Sequence, residues 1–295
     1  MSILFESGFF ASSPVRVALV VGGIVAVISA LVGTFTVVRG QSFAGHALAD
    51  IGTAGGSGAI LVGVPTLFGY VAMNLAAAGT MELIGIRRPR GRDVATGIVL
   101  GASLGLAALF LYLDTTHTNT TGATVNVLFG SIFTISNGTV LVVAVLGLAA
   151  VTLIASIYRP LLLSSVSDEL ARAKGVPVRR VGVAFLGALA IAVSLSAITI
   201  GAVLSTALLI GPAAAALKLT KRTGLAIAVA AALGVLATWL GILLAYDSAA
   251  WSSNNQGWPA SFCIVAVVIV TYLLATSVSR LVDRRARPVT DGDGH

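Results

Sequence analysis

Charge is scarce in this sequence: Asp, Glu, Lys and Arg make up 10% of its 295 residues, where an ordinary soluble domain carries roughly 25%. A chain so poor in charge is not built to stay in water. Cysteine is almost absent, Cys263 standing alone inside an apolar run. A disulfide within the chain and a cluster of thiolate metal ligands are therefore excluded. Also missing are a phosphate-binding GxxxxGK[ST] loop, a zinc-binding HExxH helix and a GxSxG nucleophile turn. The chain has no means of hydrolysing ATP by itself, so any energy it uses comes from a partner or an ion gradient. The N-terminus, MSILFESGFFASSP, lacks the basic start of a secretory signal. The apolar stretch after it is too long for a signal core, which makes it a retained first span.

What is present is hydrophobic: 57% of the residues are apolar or aromatic. They fall in blocks of about 20, the length a helix needs to cross a hydrocarbon core of about 30 Å. Backbone groups in lipid must pair within the protein, so these blocks read as helices. The expected fold is all-α, a polytopic helical membrane protein with about eight or nine transmembrane helices. Spans are predicted at 15–38, 42–61, 62–81, 94–113, 137–158, 180–199, 201–217, 224–246 and 259–281. The second and third are separated only by a break near Pro65, so eight spans is the alternative. Residues 1–281 form one membrane domain and 282–295 a polar tail.

The net charge of +7 sits between the apolar blocks instead of forming a stripe on one soluble face, which argues for topology and against nucleic acid. Arg87, Arg88, Arg90 and Arg92 mark one cytoplasmic loop; Arg172, Lys174, Arg179 and Arg180 a second. Lys218, Lys221 and Arg222 mark a third, and Arg280, Arg284, Arg285 and Arg287 the C-terminal tail. The stretches Asp114–Gly122 and Asp247–Trp258 carry no Lys or Arg and face outward. Arg39 is then inside and the N-terminus outside. Residues 181–218 start and end inside, which forces a turn near Thr199–Gly201.

Two polar features interrupt this pattern. His46 and Asp50 lie four apart inside an apparent span, so a helix puts both on one face where nitrogen and oxygen can converge on a cation. Ionisable groups at membrane depth are costly and usually face a pathway, a partner or the bundle interior. The alternative is a hydrogen-bonded pair that only ties helices together. Gly52, Gly55, Gly56 and Gly58 follow and predict a weakened, discontinuous helix of the kind in which transporters build ion sites. The second feature is the segment Ser164–Arg180. Ser165 and Asp168 have capping-box spacing, Glu169 complements the helix start, and Lys174 with Gly175 closes it. A short helix outside the bilayer is expected, serving either to dock a partner or simply as a solvated loop helix.

Three further readings are simpler. Gly97, Gly101 and Gly105 form a ridge that admits a neighbouring helix. Pro212 removes a backbone donor from the seventh span and kinks it. His117 lies in the outer loop among threonines, either as a solvated residue or in contact with a delivery protein, and His295 lies in the tail.

The stretches RGQSFAGHALADIG, LFGS at Leu128–Ser131, SDELARAKGV at Ser167–Val176 and LLIGPAAAA at Leu208–Ala216 together resemble the ABC-3 family of manganese, zinc and iron permeases, over about residues 15–281. The resemblance implies the transmembrane permease subunit of an ATP-driven importer of divalent metal ions in the bacterial inner (cytoplasmic) membrane. It is a transport subunit without an ATPase site of its own. The metal ion is cargo, and no cofactor is bound permanently. The implied partners are two cytoplasmic ATP-binding subunits, an extracytoplasmic metal-binding protein and a second permease subunit, either the same chain in a homodimer or a paired permease, within membrane lipid. Asp168–Gly175 is implied to be the coupling helix, with Asp168, Glu169, Ala171 and Gly175 at the ATPase contact. Family members commonly place aspartate, then histidine four residues later, along the pathway; here His46 and Asp50 occupy those positions in exchanged order. A permease for iron chelates, or a gradient-driven transporter or channel, is the rival reading.

Overall fold

The computed structural model describes residues 9–85, 89–117, 121–251 and 257–286. Among these residues there is no strand. Eleven helices follow one another: α1 Ser13–Val38, α2 Ser42–Leu61, α3 Thr66–Gly85, α4 Pro89–His117, α5 Thr121–Phe129, α6 Asn137–Val166, α7 Asp168–Ala173, α8 Val178–Ile200, α9 Ala202–Leu219, α10 Thr223–Trp251 and α11 Ala260–Ala286. Among the described residues, seven helices are long and apolar enough to cross a membrane: α1, α4, α6, α8, α9, α10 and α11. The protein is therefore a multi-pass membrane protein. The helices α2 and α3 have 20 residues each, about 30 Å at 1.5 Å per residue, but fall outside that apolar set. They pack on each other, and both touch α4 and α8, so much of their polar surface meets protein instead of lipid.

Burial sorts the bundle into a centre and a rim. More than half of the apolar window of α1 and of α8 is buried, 56% and 61%, against 17% for α4 and 22% for α6. Serine and asparagine tie the centre together: Ser29 on α1 meets Ser196 on α8 at 2.9 Å, and Asn74 on α3 donates to Ser194 at 2.9 Å. All four side chains are buried. Ser194 also donates to the Ala190 carbonyl of its own helix at 2.8 Å, so a buried hydroxyl there serves both its helix and its neighbour. On the rim, Trp251, Trp258 and Phe262 stack edge to face at one end of α10 and α11, the amphipathic aromatic cluster expected at a membrane–water boundary.

The glycines after Asp50 do not break α2, which is continuous from Ser42 to Leu61. They serve close packing instead. A Cβ on Gly55 would overlap the carbonyl of Gly69 on α3, and one on Gly69 would overlap the carbonyl of Gly55. The two backbones touch where any side chain would hold them apart. The turn near Pro65 falls as expected, with α3 starting four residues later than predicted, at Thr66.

Two departures come from the outer segments. The stretch Asp114–His117 continues α4 instead of opening a loop, and a short helix not foreseen, α5, follows it. The end of α5 reaches the α8–α9 turn: a Cβ on Gly130 would overlap the amide of Gly201, and one on Gly201 would overlap the carbonyl of Leu128. Tyr70 on α3 closes this junction by donating to the Val127 carbonyl at 2.8 Å. On the expected ridge of α4, a Cβ placed on Gly97, Gly101 or Gly105 would meet nothing within 4 Å, so no described helix of this chain packs there.

Gly201 has φ 85° and ψ 157°, a region open essentially to glycine alone. Gly201→Ala is expected to destabilise the protein by about 1–3 kcal/mol through backbone strain, with further loss from overlap with α5. Thermal unfolding in detergent should show a clear drop in midpoint, while Gly79→Ala, with open space around it, should leave it unchanged or raise it slightly.

Candidate functional site

The helix α1 ends and α2 begins within a few residues. Gly40 (φ 64°) donates to Val37 at 3.0 Å and Gln41 to Thr36 at 2.9 Å, the paired bonds of a glycine-terminated helix end. That tight turn launches α2 against α3, α4, α8 and α9, and between Gly45 and Thr53 every residue of α2 is buried except His46 and Asp50.

The two therefore share the one uncovered strip of this part of the helix, together with Phe43 one turn earlier. The Nε2 of His46 lies 3.5 Å from Oδ2 of Asp50, and their side chains are 50% and 19% exposed. At 3.5 Å the pair is too long for a good hydrogen bond. Among the described residues neither side chain bonds to another helix, which removes the interhelical-tie reading within this chain. The donors remain one nitrogen and one oxygen, aimed outward from the same face. Among the described residues no group of three or more His, Cys, Asp or Glu gathers anywhere, so a single chain offers a cation two side-chain donors. Such a set suits transient contact with several first-row divalent ions and selects little by itself.

The short helix expected in the segment Ser164–Arg180 is present. The helix α7, Asp168–Ala173, is capped by Ser167, whose hydroxyl accepts from the Leu170 amide at 3.2 Å. The expected cap, Ser165, instead donates to the Leu161 carbonyl. The reason is that α6 runs past Pro160 to Val166, which leaves Ser165 inside it. Asp168 and Glu169 occupy the first turn, and Gly175 (φ 75°) ends the helix with Val176 donating back to Ala171 at 3.0 Å. Asp168, Glu169 and Gly175 are exposed; Ala171 is fully buried. Ala171 thus seats α7 against the bundle, while the acidic first turn and the glycine end face away from it.

His117 ends α4. Arg87, Arg88, Arg287 and His295 lie outside the described residues. One residue that sequence reading counted only as a topology charge, Arg39, reaches two helices: Nη1 donates to Ser164 at 2.8 Å, and its guanidinium lies 5.4 Å from the Phe185 ring centre. No local motif marks that role.

Comparison with known proteins adds an independent line. The pattern of the family described as ABC 3 transport family matches residues 13–279. The manganese transport system membrane protein MntC of Listeria monocytogenes is 26% identical over 286 residues, covering 96% of this chain and 98% of the relative. Its namesake in Halalkalibacterium halodurans is 29% identical, covering 80% of each. The chelated iron transport system membrane protein YfeC of Yersinia pestis is 26% identical over 78% of this chain and 76% of its own. Among solved structures, PsaBC from Streptococcus pneumoniae in complex with Fab superposes with a TM-score of 0.79 at 23% identity, covering 94% of this chain and 97% of that one.

Removing the α7 cap should loosen that helix alone. Ser167→Ala is expected to cost about 1 kcal/mol, read as roughly fivefold faster hydrogen exchange at the amides of residues 169–173, with the exchange of α1 and α8 unchanged.

Proposed function

The chain belongs to the ABC 3 transport family, and from that membership we propose that it is the transmembrane permease subunit of an ATP-driven importer of divalent metal ions, with manganese the first candidate. ATP hydrolysis falls to separate partner subunits, and a metal-binding protein outside the membrane delivers the ion. The cell membrane of a bacterium is its place, with α7 on the cytoplasmic side. The observation that carries the metal-ion reading is the His46–Asp50 pair, two untied donors 3.5 Å apart on an uncovered helix strip. The manganese systems among the relatives support manganese over zinc.

A second copy of the chain completes the site. One chain offers a cation two side-chain donors, and a symmetric neighbour presenting the same strip doubles them. His46 and Asp50 of both copies then line a narrow path. Loose, incomplete coordination is what transit requires, because an ion held in a full ligand cage would not leave. The exposed acidic turn of α7, with Asp168, Glu169 and Gly175, is the contact to the ATP-binding subunit, and Ala171 holds that helix in place. The iron-chelate reading has one supporting observation, the likeness to YfeC, but a bulky chelate has no use for two close-set ion donors.

Uptake by proteoliposomes holding the chain with its ATP-binding subunits and binding protein, supplied in turn with manganese, zinc and iron, tests this. ATP-dependent manganese accumulation is expected only with all partners present. His46→Ala and Asp50→Ala should each lower it at least about tenfold, the scale of losing a metal contact, without loss of complex assembly. Uptake by the chain alone, or unimpaired uptake by both variants, would refute the permease mechanism or the site respectively.

A further inference from the structure

The two ends that flank α7 converge on one side chain. Arg39 caps the C-terminal end of α1, between Val38 and Gly40. Its guanidinium donates to Ser164, in the last turn of α6 ahead of α7, and lies over Phe185, in the first turns of α8 after α7. Ser164 and Phe185 are both buried, at 6% and 0% exposure. A planar cation that bonds with one edge and stacks with its face can hold two elements at once, which a lysine does less well.

The stretch of α6 that Arg39 grips is set apart from the rest of that helix. Pro160 has no N–H for the Ser156 carbonyl, so the helix is weakened between its membrane portion and its last turns. On the near side of Pro160, Tyr158 packs edge to face on Phe35 of α1 at 5.7 Å. On the far side, Ser164 meets Arg39. The helix α1 and its end therefore contact α6 on both sides of its weak point, through an aromatic contact that is apolar and a hydrogen bond that is directional. Beyond Arg39 the chain turns at Gly40 and enters α2 through the bonds of Gly40 and Gln41 to the end of α1. His46 follows less than two helical turns later.

Resting on the permease reading above, we propose that Arg39 is a positioning residue that passes the movement of α7 to the ion-contacting strip of α2. Displacement of α7 moves the end of α6 about Pro160; Arg39 moves with Ser164 and Phe185; the Gly40 turn carries that shift into α2 and changes the setting of His46 and Asp50. Arg39 itself does not touch the ion.

The test is the ratio of ATP hydrolysed to manganese taken up, measured on the complete complex in proteoliposomes. The wild-type complex must first show ATP-dependent manganese uptake; if it does not, the permease reading fails and this inference falls with it. Given that uptake, Arg39→Ala is expected to raise the ratio about tenfold, within the usual range of coupling between sites, while hydrolysis and retention of the ATP-binding subunits stay unchanged. Ser164→Ala should raise it in the same direction by less, and Arg39→Lys should recover part of the coupling. A parallel fall of hydrolysis and uptake in Arg39→Ala would mark a merely structural role and overturn the proposal. Should Arg39→Ala fail to assemble, Ser164→Ala decides alone, and an unchanged ratio there overturns it.

Discussion

Inside a hydrocarbon layer a backbone amide or carbonyl has no water to turn to, and an unpaired one costs several kcal/mol. Every departure from continuous helix in this bundle has to be closed by protein. The junction of α5 with the α8–α9 turn shows how. Two glycine backbones, Gly130 and Gly201, meet with no side chain between them. The Gly130 amide bonds back to Asn126 and the Gly201 amide to Ala197, both at 2.9 Å, and Tyr70 reaches across from α3 to satisfy Val127. The helix α5 packs on α2, α4, α8 and α9, and Gly201 at the turn is buried.

The same constraint divides the polar side chains into two groups. Thr34, Thr36, Ser57 and Thr238 return their hydroxyls to the preceding turn of their own helix, and Ser29, Ser196, Asn74 and Ser194 bond across helices. These groups are consumed by the fold, and replacing them would loosen it. His46 and Asp50 belong to neither set: among the described residues their polar ends approach each other, beyond good hydrogen-bond distance, and no other helix. The pair lies on the strip of α2 that no other described helix covers, outside the bonding that holds the bundle together.

Much of this was legible in the sequence because hydropathy and charge act along the whole length of a span. The long apolar helices fall close to their predicted places, and the turn at Gly201 followed from the charges on either side of it. Short elements were not legible. The helix α5 has nine residues, too few for a hydropathy window, and follows a run of threonines that reads as loop. The glycines of α2 were misread because propensity in isolation says that glycine weakens a helix, whereas the facing Gly69, Tyr70 and Asn74 use the missing side chains as room. The ridge on α4 was misread in the opposite sense, because spacing shows that a close approach is open but not whether a partner within the chain fills it. The cap of α7 lies two residues later than expected because α6 runs on past the predicted end of its span at 158, to Val166, and takes in Ser165.

The contact that no pattern announced is that of Arg39 with Ser164 and Phe185. His46 with Asp50 and the helix α7 were each recognisable from local spacing, but their relation depends on where α1, α6 and α8 come together, more than a hundred residues apart in sequence between Arg39 and Ser164. Periodicity assigns Arg39 to a helix end and charge assigns it to a membrane side; both are satisfied by a solvated arginine. Only packing shows that its donor is used by a buried serine and its face by a buried phenylalanine. The position of an arginine held in that way depends on those of Ser164 and Phe185. Those partners lie on the helices before and after α7, so the place of the end of α1 is fixed by contacts on both sides of that short helix.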